Sequence, residues 1–202
     1  MVAIIDYGVG NLFSVKCAFE RIGVEAVVTA DKSVIRAADR ILLPGVGAFA
    51  DAVKKLQESG MVALLKEEAA KGKPIMGICL GMQLLFERSY EYGYHEGLGL
   101  LKGSVIPMRG YVDKGLKVPH IGWNALHFTK KTDLFKYCKE GDCAYFVHSY
   151  FASDCEDSVV ATTEYGKPIT AAVAKGNIMG CQFHPEKSGE VGLHMLKAFC
   201  ET

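Results

Sequence analysis

A chain of 202 residues, 50% apolar and 23% charged, carries enough hydrophobic sequence for one ordinary α/β domain, expected to span 1–202, and none of the composition that keeps a chain disordered. Its 23 basic and 23 acidic residues cancel and neither sign forms a long run, which argues against a nucleic-acid partner held by phosphate neutralisation. No apolar run reaches the roughly 18–20 residues that cross a bilayer, and the first apolar stretch leads straight into acidic, glycine-rich sequence, so no membrane role and a cytoplasmic setting are expected.

Residues 2–5 read as a short buried strand, closed by Asp6-Tyr7-Gly8-Val9-Gly10. A helix follows over 11–21, with Leu12, Val15, Ala18, Phe19 and Ile22 on one face and Gly23 as its stop. Next come a strand over 24–29, a short helix over 33–38 and a strand over 40–43 that ends at Pro44-Gly45-Val46-Gly47. Helical patterns cover 49–58 and 61–70, broken near Ser59-Gly60, and a buried strand over 74–78 leads into a helix beginning at 80–86. This alternation implies an α/β fold: an open, mostly parallel sheet with helices on both faces and right-handed crossovers. Beyond Gly93 the rhythm changes to strands over 104–108, 118–128, 144–151, 158–165, 169–175 and 177–183, with at most a short helix at 133–137. That half reads as a hairpin-rich extension completing a mixed sheet, closed by a helix over 188–200 with Ser188 as a possible cap and Glu190 near its positive end.

Seven cysteines without a C-x-x-C pair are expected to be reduced thiols, and only Cys79 has a distinctive setting. Gly77-Ile78-Cys79-Leu80-Gly81 stands between a strand and a helix with the spacing of a nucleophile elbow. Small residues on either side permit the sharp turn, and the first helical turn offers unpaired N–H groups and a positive potential that favour negative charge on the thiol. The Leu80 N–H is placed to receive charge on a tetrahedral intermediate. Taken alone, the same letters also describe a buried cysteine beside two packing glycines. His184-Pro185-Glu186 follows an apolar strand. Pro185 favours extended backbone at His184, so Glu186 projects to the same side and can orient the imidazole toward Cys79. A second oxyanion donor is expected from Val46 or Gly47, although that segment reads equally well as a plain turn.

Other ligand patterns fail. Phe13 stands where a dinucleotide fingerprint beginning Gly8-x-Gly10 needs a third glycine, no phosphate-loop spelling occurs, and Cys138 and Cys143 lack the close pairing usual for zinc. No cofactor or metal is expected. His95, His120, His127 and His194 read as ordinary surface or packing histidines, whereas His148-Ser149-Tyr150 ends an apolar strand, where sheet ligands collect.

The elbow and His184-Pro185-Glu186 resemble those of the class I glutamine amidotransferases, which carry a Cys-His-Glu triad on a flavodoxin-like three-layer fold. Over essentially the whole chain the sequence is similar to one branch of them, the glutaminase subunits of imidazole glycerol phosphate synthase. Asp6-Tyr7-Gly8-Val9-Gly10-Asn11-Leu12, Leu43-Pro44-Gly45-Val46-Gly47, Pro119-His120-Ile121-Gly122-Trp123-Asn124, Tyr145-Phe146-Val147-His148-Ser149-Tyr150 and Phe183-His184-Pro185-Glu186-Lys187-Ser188 carry that likeness. The resemblance implies that Cys79 attacks L-glutamine with His184 and Glu186 managing protons. It further implies that Gln83, Glu91, Gly47 and the Ser149-Tyr150 backbone hold the substrate, and that Leu80 and the Val46-Gly47 peptide meet the oxyanion. It also implies a separate (β/α)8-barrel cyclase subunit, making imidazole glycerol phosphate and AICAR in histidine biosynthesis and receiving ammonia through a channel. Asn11, Trp123, Tyr145 and Lys187 match positions near that interface. A glutaminase serving another synthase, a non-catalytic binding module on the same scaffold and a cysteine hydrolase of other amides are the rival readings.

Overall fold

The computed structural model describes residues 1–202. Its first half alternates β1 (Val2–Ile5), α1 (Leu12–Arg21), β2 (Ala26–Thr29), α2 (Lys32–Ala37), β3 (Arg40–Leu43), α3 (Phe49–Glu58), α4 (Met61–Ala70), β4 (Ile75–Ile78) and α5 (Leu80–Leu84). The second half contains β5 (Phe86–Ser89), β6 (His95–Glu96), β7 (Leu101–Pro107), β8 (His120–Ala125), β9 (His127–Phe128), β10 (Cys143–His148), β11 (Tyr150–Ser153), β12 (Val159–Glu164), β13 (Pro168–Lys175), β14 (Ile178–Cys181) and α6 (Gly189–Phe199).

The main sheet has eight strands in the order β2-β1-β3-β4-β14-β13-β12-β9, parallel through β14 and antiparallel beyond it. Both faces are covered, as the uninterrupted apolar run of β1 requires. Val2 and Ile4 enter one core cluster with Phe19, Phe146 and Phe199, while Ala3 and Ile5 enter the other with Phe49, Leu56 and Phe86. The expected mixed, mostly parallel sheet flanked by helices is what forms. No helix is long and apolar enough to cross a membrane.

Three expectations need correction. The helix beginning at Leu80 ends at Leu84, and the following apolar residues turn into β5 instead of extending it. The strand expected over 118–128 is two: β8 pairs with β10 in a separate two-stranded sheet, whereas β9 joins β12 on the main sheet. The strand expected over 144–151 likewise breaks at Ser149, sending β10 to β8 and β11 to β7 in a four-stranded sheet. Apolar periodicity runs through both breaks because each side is buried, so the pattern cannot reveal that the chain changes sheets.

The topology decides where the chemistry collects. Strand β4 lies between β3 and β14, all parallel, with Gly77 beside Leu43 and Ile78 beside Cys181. Their carboxyl ends therefore release Pro44–Gly47, Cys79 and Phe183–His184 at a single sheet edge, the usual ligand side of an open α/β sheet.

Candidate active site

Cys79 sits between β4 and α5 with φ 55° and ψ −112°, a conformation that an L-residue adopts at a cost on the order of 1–3 kcal/mol. The surroundings impose it. The Cys79 N–H donates to the Cys181 carbonyl at 2.8 Å, and neighbouring glycines let backbone pack against backbone around the turn. A Cβ on Gly81 would lie 1.9 Å from the Leu43 carbonyl oxygen, and one on Gly77 would lie 2.5 Å from that of Gly81. The elbow glycines thus serve close approach, as their lack of bulk suggested.

Behind the thiol, His184 Nδ1 lies 2.8 Å from Glu186 Oε1, with the two side chains only 4% and 1% exposed. The pairing does not arise from extended geometry as expected: His184 is extended, but Pro185–Lys187 forms a 3-10 turn that folds Glu186 back onto the ring. Burial pulls the His184 pKa down, but the interactions with Cys79 and Glu186 outweigh it and raise the value to about 9. Ser188 occupies the first flanking position of α6 without capping it. Its hydroxyl instead donates to the His184 carbonyl at 2.7 Å and accepts the Tyr145 N–H at 2.9 Å, which fixes the turn carrying the triad.

A cavity of ≈ 330 Å³ opens in front of Cys79 and His184. Its walls include Val46, Gly47, Leu80, Gln83, Glu91, Ser149 and Tyr150, so every expected oxyanion and glutamine-binding residue lines it, with Glu186 standing behind His184. Leu80 is the first residue of α5, where an N–H has no acceptor within its own helix. Neither the Val46 nor the Gly47 N–H donates to another group of the chain, and Gly47 has φ +90°. The Tyr7 hydroxyl, whose pKa burial raises, donates to the Pro44 carbonyl at 2.8 Å and braces this loop from β1. At the far side, Glu91 Oε2 accepts the Phe49 N–H at 2.6 Å, and burial raises the Glu91 pKa.

Sequence reasoning missed Gln182. Its Nε2 approaches Cys79 Sγ at 3.7 Å, and its Oε1 accepts from Gln83 Nε2 at 2.9 Å, while that same Gln83 amide also donates to the Tyr150 carbonyl at 3.1 Å. The available signal was its place two residues before His184, at the end of β14. A buried His120–His148 pair was also missed, His120 having read as a packing residue. The interface candidates divide. Asn11 caps α1 through its Oδ1 and the Ser14 N–H, whereas Trp123, 56% exposed, meets Tyr145 across β8 and β10 with ring centroids 6.0 Å apart, and Lys187 is exposed beside the triad turn.

A larger cleft of ≈ 680 Å³ beside Phe128, Lys130 and Phe135 contains none of these groups. Burial pushes its one thiol, Cys138, up to about 11, which keeps it protonated and unreactive. No three His, Cys, Asp or Glu side chains converge as metal ligands.

Residues 3–202 match the family described as "Glutamine amidotransferase class-I", and the chain belongs to that class, enzymes with glutaminase activity. Its relatives narrow the assignment. The chain is 51% identical over 201 residues to "Imidazole glycerol phosphate synthase subunit HisH" of Lactococcus lactis, covering 99% of this chain and 98% of that one. It is 50% identical over 198 residues to the HisH subunit of Aquifex aeolicus, covering 97% and 94%. Within the class, the chain is a member of the HisH family. Among solved structures, a glutamine amidotransferase superposes with TM-score 0.76 at 20% identity over 99% of this chain and 100% of that one. PurLQS from Thermotoga maritima gives TM-score 0.75 at 22% identity over 99% and 97%, and both likenesses concern the fold.

Proposed function

We propose that this chain is a single amidotransferase domain that releases ammonia from L-glutamine through a Cys79 thioester and passes it to a separate cyclase subunit. The Cys79 sulfur bonds to the side-chain amide carbon, and the carbonyl electrons move onto oxygen, to be met by the Leu80 N–H and one from the Val46-Gly47 peptide. The carbon–nitrogen bond then breaks as His184 delivers a proton, and ammonia leaves. Water, deprotonated by His184, attacks the thioester, the carbon–sulfur bond breaks and glutamate departs. Glu186 keeps the imidazole in the tautomer this exchange needs. Glu91 carries the charge that complements the substrate α-ammonium, with Gln83 and the Ser149-Tyr150 backbone completing the site.

The observation that most supports this reading is the common cavity. It joins Cys79 and His184 to Glu91, a half-buried carboxylate suited to an amino-acid substrate. The synthase is favoured by the HisH relatives and by the exposed Trp123 and Lys187 adjoining the triad turn, where a (β/α)8-barrel partner making imidazole glycerol phosphate and AICAR would dock. Glutamate release should be measured with the chain alone and with the cyclase subunit carrying its nucleotide ligand. Strong stimulation by the loaded cyclase is the expected result; equal activity in both conditions would assign the chain to another synthase.

A further inference from the structure

Gln182 follows directly on β14, two residues before His184, and is fully buried behind the cavity wall. Its amide is the last member of a chain of hydrogen bonds that starts at the Tyr150 carbonyl and ends on the Cys79 sulfur. Gln83 Nε2 lies 3.1 Å from the Tyr150 carbonyl and 2.9 Å from Gln182 Oε1, and Gln182 Nε2 lies 3.7 Å from Cys79 Sγ.

The carbonyl fixes every orientation in this chain, because it can only accept. The Gln83 atom facing it is therefore the nitrogen, and the second hydrogen on that nitrogen reaches Gln182. The Gln182 atom on that side is then the oxygen, which leaves its NH2 group facing the sulfur. Turning the Gln182 amide alone would set two NH2 groups against each other. Turning Gln83, alone or together with Gln182, would set an amide oxygen against the Tyr150 carbonyl oxygen. Both side chains are buried, where such opposed pairs are costly.

The sulfur has use for that donor. Burial pulls the His184 pKa down, but Cys79 and Glu186 raise it to about 9, and a charged imidazole beside Cys79 favours negative charge on the sulfur. An N–H aimed at a charged acceptor makes one of the stronger hydrogen bonds. The geometry points to Gln182 as a catalytic residue whose N–H holds the Cys79 sulfur and meets the negative charge it carries, with Gln83 deciding, through Gln182, which end of that amide the sulfur sees. Gln83 thus positions the nucleophile as well as lining the cavity. The effect on turnover rests on the glutamine reading above, whereas the hold on the sulfur does not.

Alkylation of Cys79 by iodoacetamide at neutral pH, followed by mass spectrometry of the peptide that carries it, tests that hold in the full chain without glutamine. Gln182→Met keeps the length of the side chain without its amide and should slow alkylation about tenfold, the worth of one buried hydrogen bond. Gln83→Met leaves Gln182 in place but frees its amide to turn, and should also slow the reaction. The double variant should be no slower than Gln182→Met, because Gln83 reaches the sulfur only through Gln182, whereas unrelated loosening at the two positions would multiply. Alkylation of Gln182→Met at the wild-type rate would overturn the proposal, and a multiplicative double variant would remove Gln83 from it. Glutamate release then tests the consequence. Gln182→Met should lower kcat about tenfold with KM little changed, because the Tyr150 carbonyl still holds Gln83, while Gln83→Met should raise KM as well. A raised KM with normal kcat in Gln182→Met would reduce Gln182 to a support of the cavity wall. The expected alkylation pattern in a chain that releases no glutamate would sustain the hold on the sulfur and defeat the glutamine reading.

Discussion

Glu91 caps the helix that opens at Phe49, forty-two residues earlier in the chain. Helix α3 has no side-chain cap of its own, and its first turn follows directly on the Val46-Gly47 peptide. One carboxylate therefore serves both the cavity in front of Cys79 and the end of the loop proposed to meet the oxyanion. Glu91→Gln keeps an oxygen for the Phe49 N–H but loses the charge, so KM for glutamine should rise tenfold or more, by roughly 1.5–3 kcal/mol, with little change in Tm. Glu91→Ala should lose the cap as well. A cap is worth about 1 kcal/mol, or about 2–4 °C in a chain of this size, and kcat should fall along with affinity as the loop loosens. Thermal unfolding beside steady-state kinetics checks both, and an equal Tm loss in the two variants would contradict the cap.

The triad makes a graded prediction. Cys79→Ala and His184→Ala should abolish thioester formation, trapped as acid-stable label from radioactive glutamine, while leaving the fold intact. Glu186→Gln retains an acceptor for His184 Nδ1 and should be milder, with kcat falling on the order of 10²-fold. Its other oxygen, Oε2, is buried without a hydrogen-bond partner, so changing it to an amide does not break a second bond. Wild-type turnover in Cys79→Ala would sink the assignment.

Much of this site was legible because its parts are local. The elbow spans five residues, His184 and Glu186 are two apart, and β3, β4 and β14 each announce themselves by an apolar run ending in functional residues. What escaped depends on partners distant in the chain. Ser188 reads as a cap and is one by position, but Tyr145 and His184 claim its hydroxyl. Gln182 looks like another strand residue until Gln83, ninety-nine positions away, closes the hydrogen bond. His120 and His148 acquire meaning only through the register of β8 and β10, and periodicity hides that register because buried chain continues past both strand breaks.

The His184 proton links activity to stability. Folded, the ring keeps its proton up to about pH 9, whereas the unfolded chain releases it near 6.5. Between those values the native state binds more protons than the unfolded state, so stability falls as pH rises. The contribution is complete below about 6.5 and gone above about 9, and amounts to a few kcal/mol in order of magnitude. Urea unfolding across this window should show the decline in the wild type, a shallower one in Cys79→Ala, where only Glu186 still favours the charged ring, and none from this source in His184→Gln. An identical slope in wild type and His184→Gln would mean that other groups carry the pH dependence.

Two glycines at the same sheet edge should fail in opposite ways. At Gly81 the obstacle is space: a Cβ would sit 1.9 Å from the Leu43 carbonyl oxygen, which belongs to a central strand and cannot withdraw. Gly81→Ala should therefore destabilise the protein by about 3 kcal/mol, at or above the upper end of ordinary overpacking, and lower the urea midpoint together with activity. At Gly47 nothing lies within 4 Å of a Cβ, and the obstacle is the backbone angle, φ +90°. Gly47→Ala should cost only about 1 kcal/mol of stability. The strain falls on the peptide proposed to meet the oxyanion, so kcat should drop by about 10²-fold while KM changes little. Measuring unfolding and kcat for both variants separates packing from catalysis, and a Gly47→Ala enzyme with normal kcat would remove this peptide from the oxyanion site.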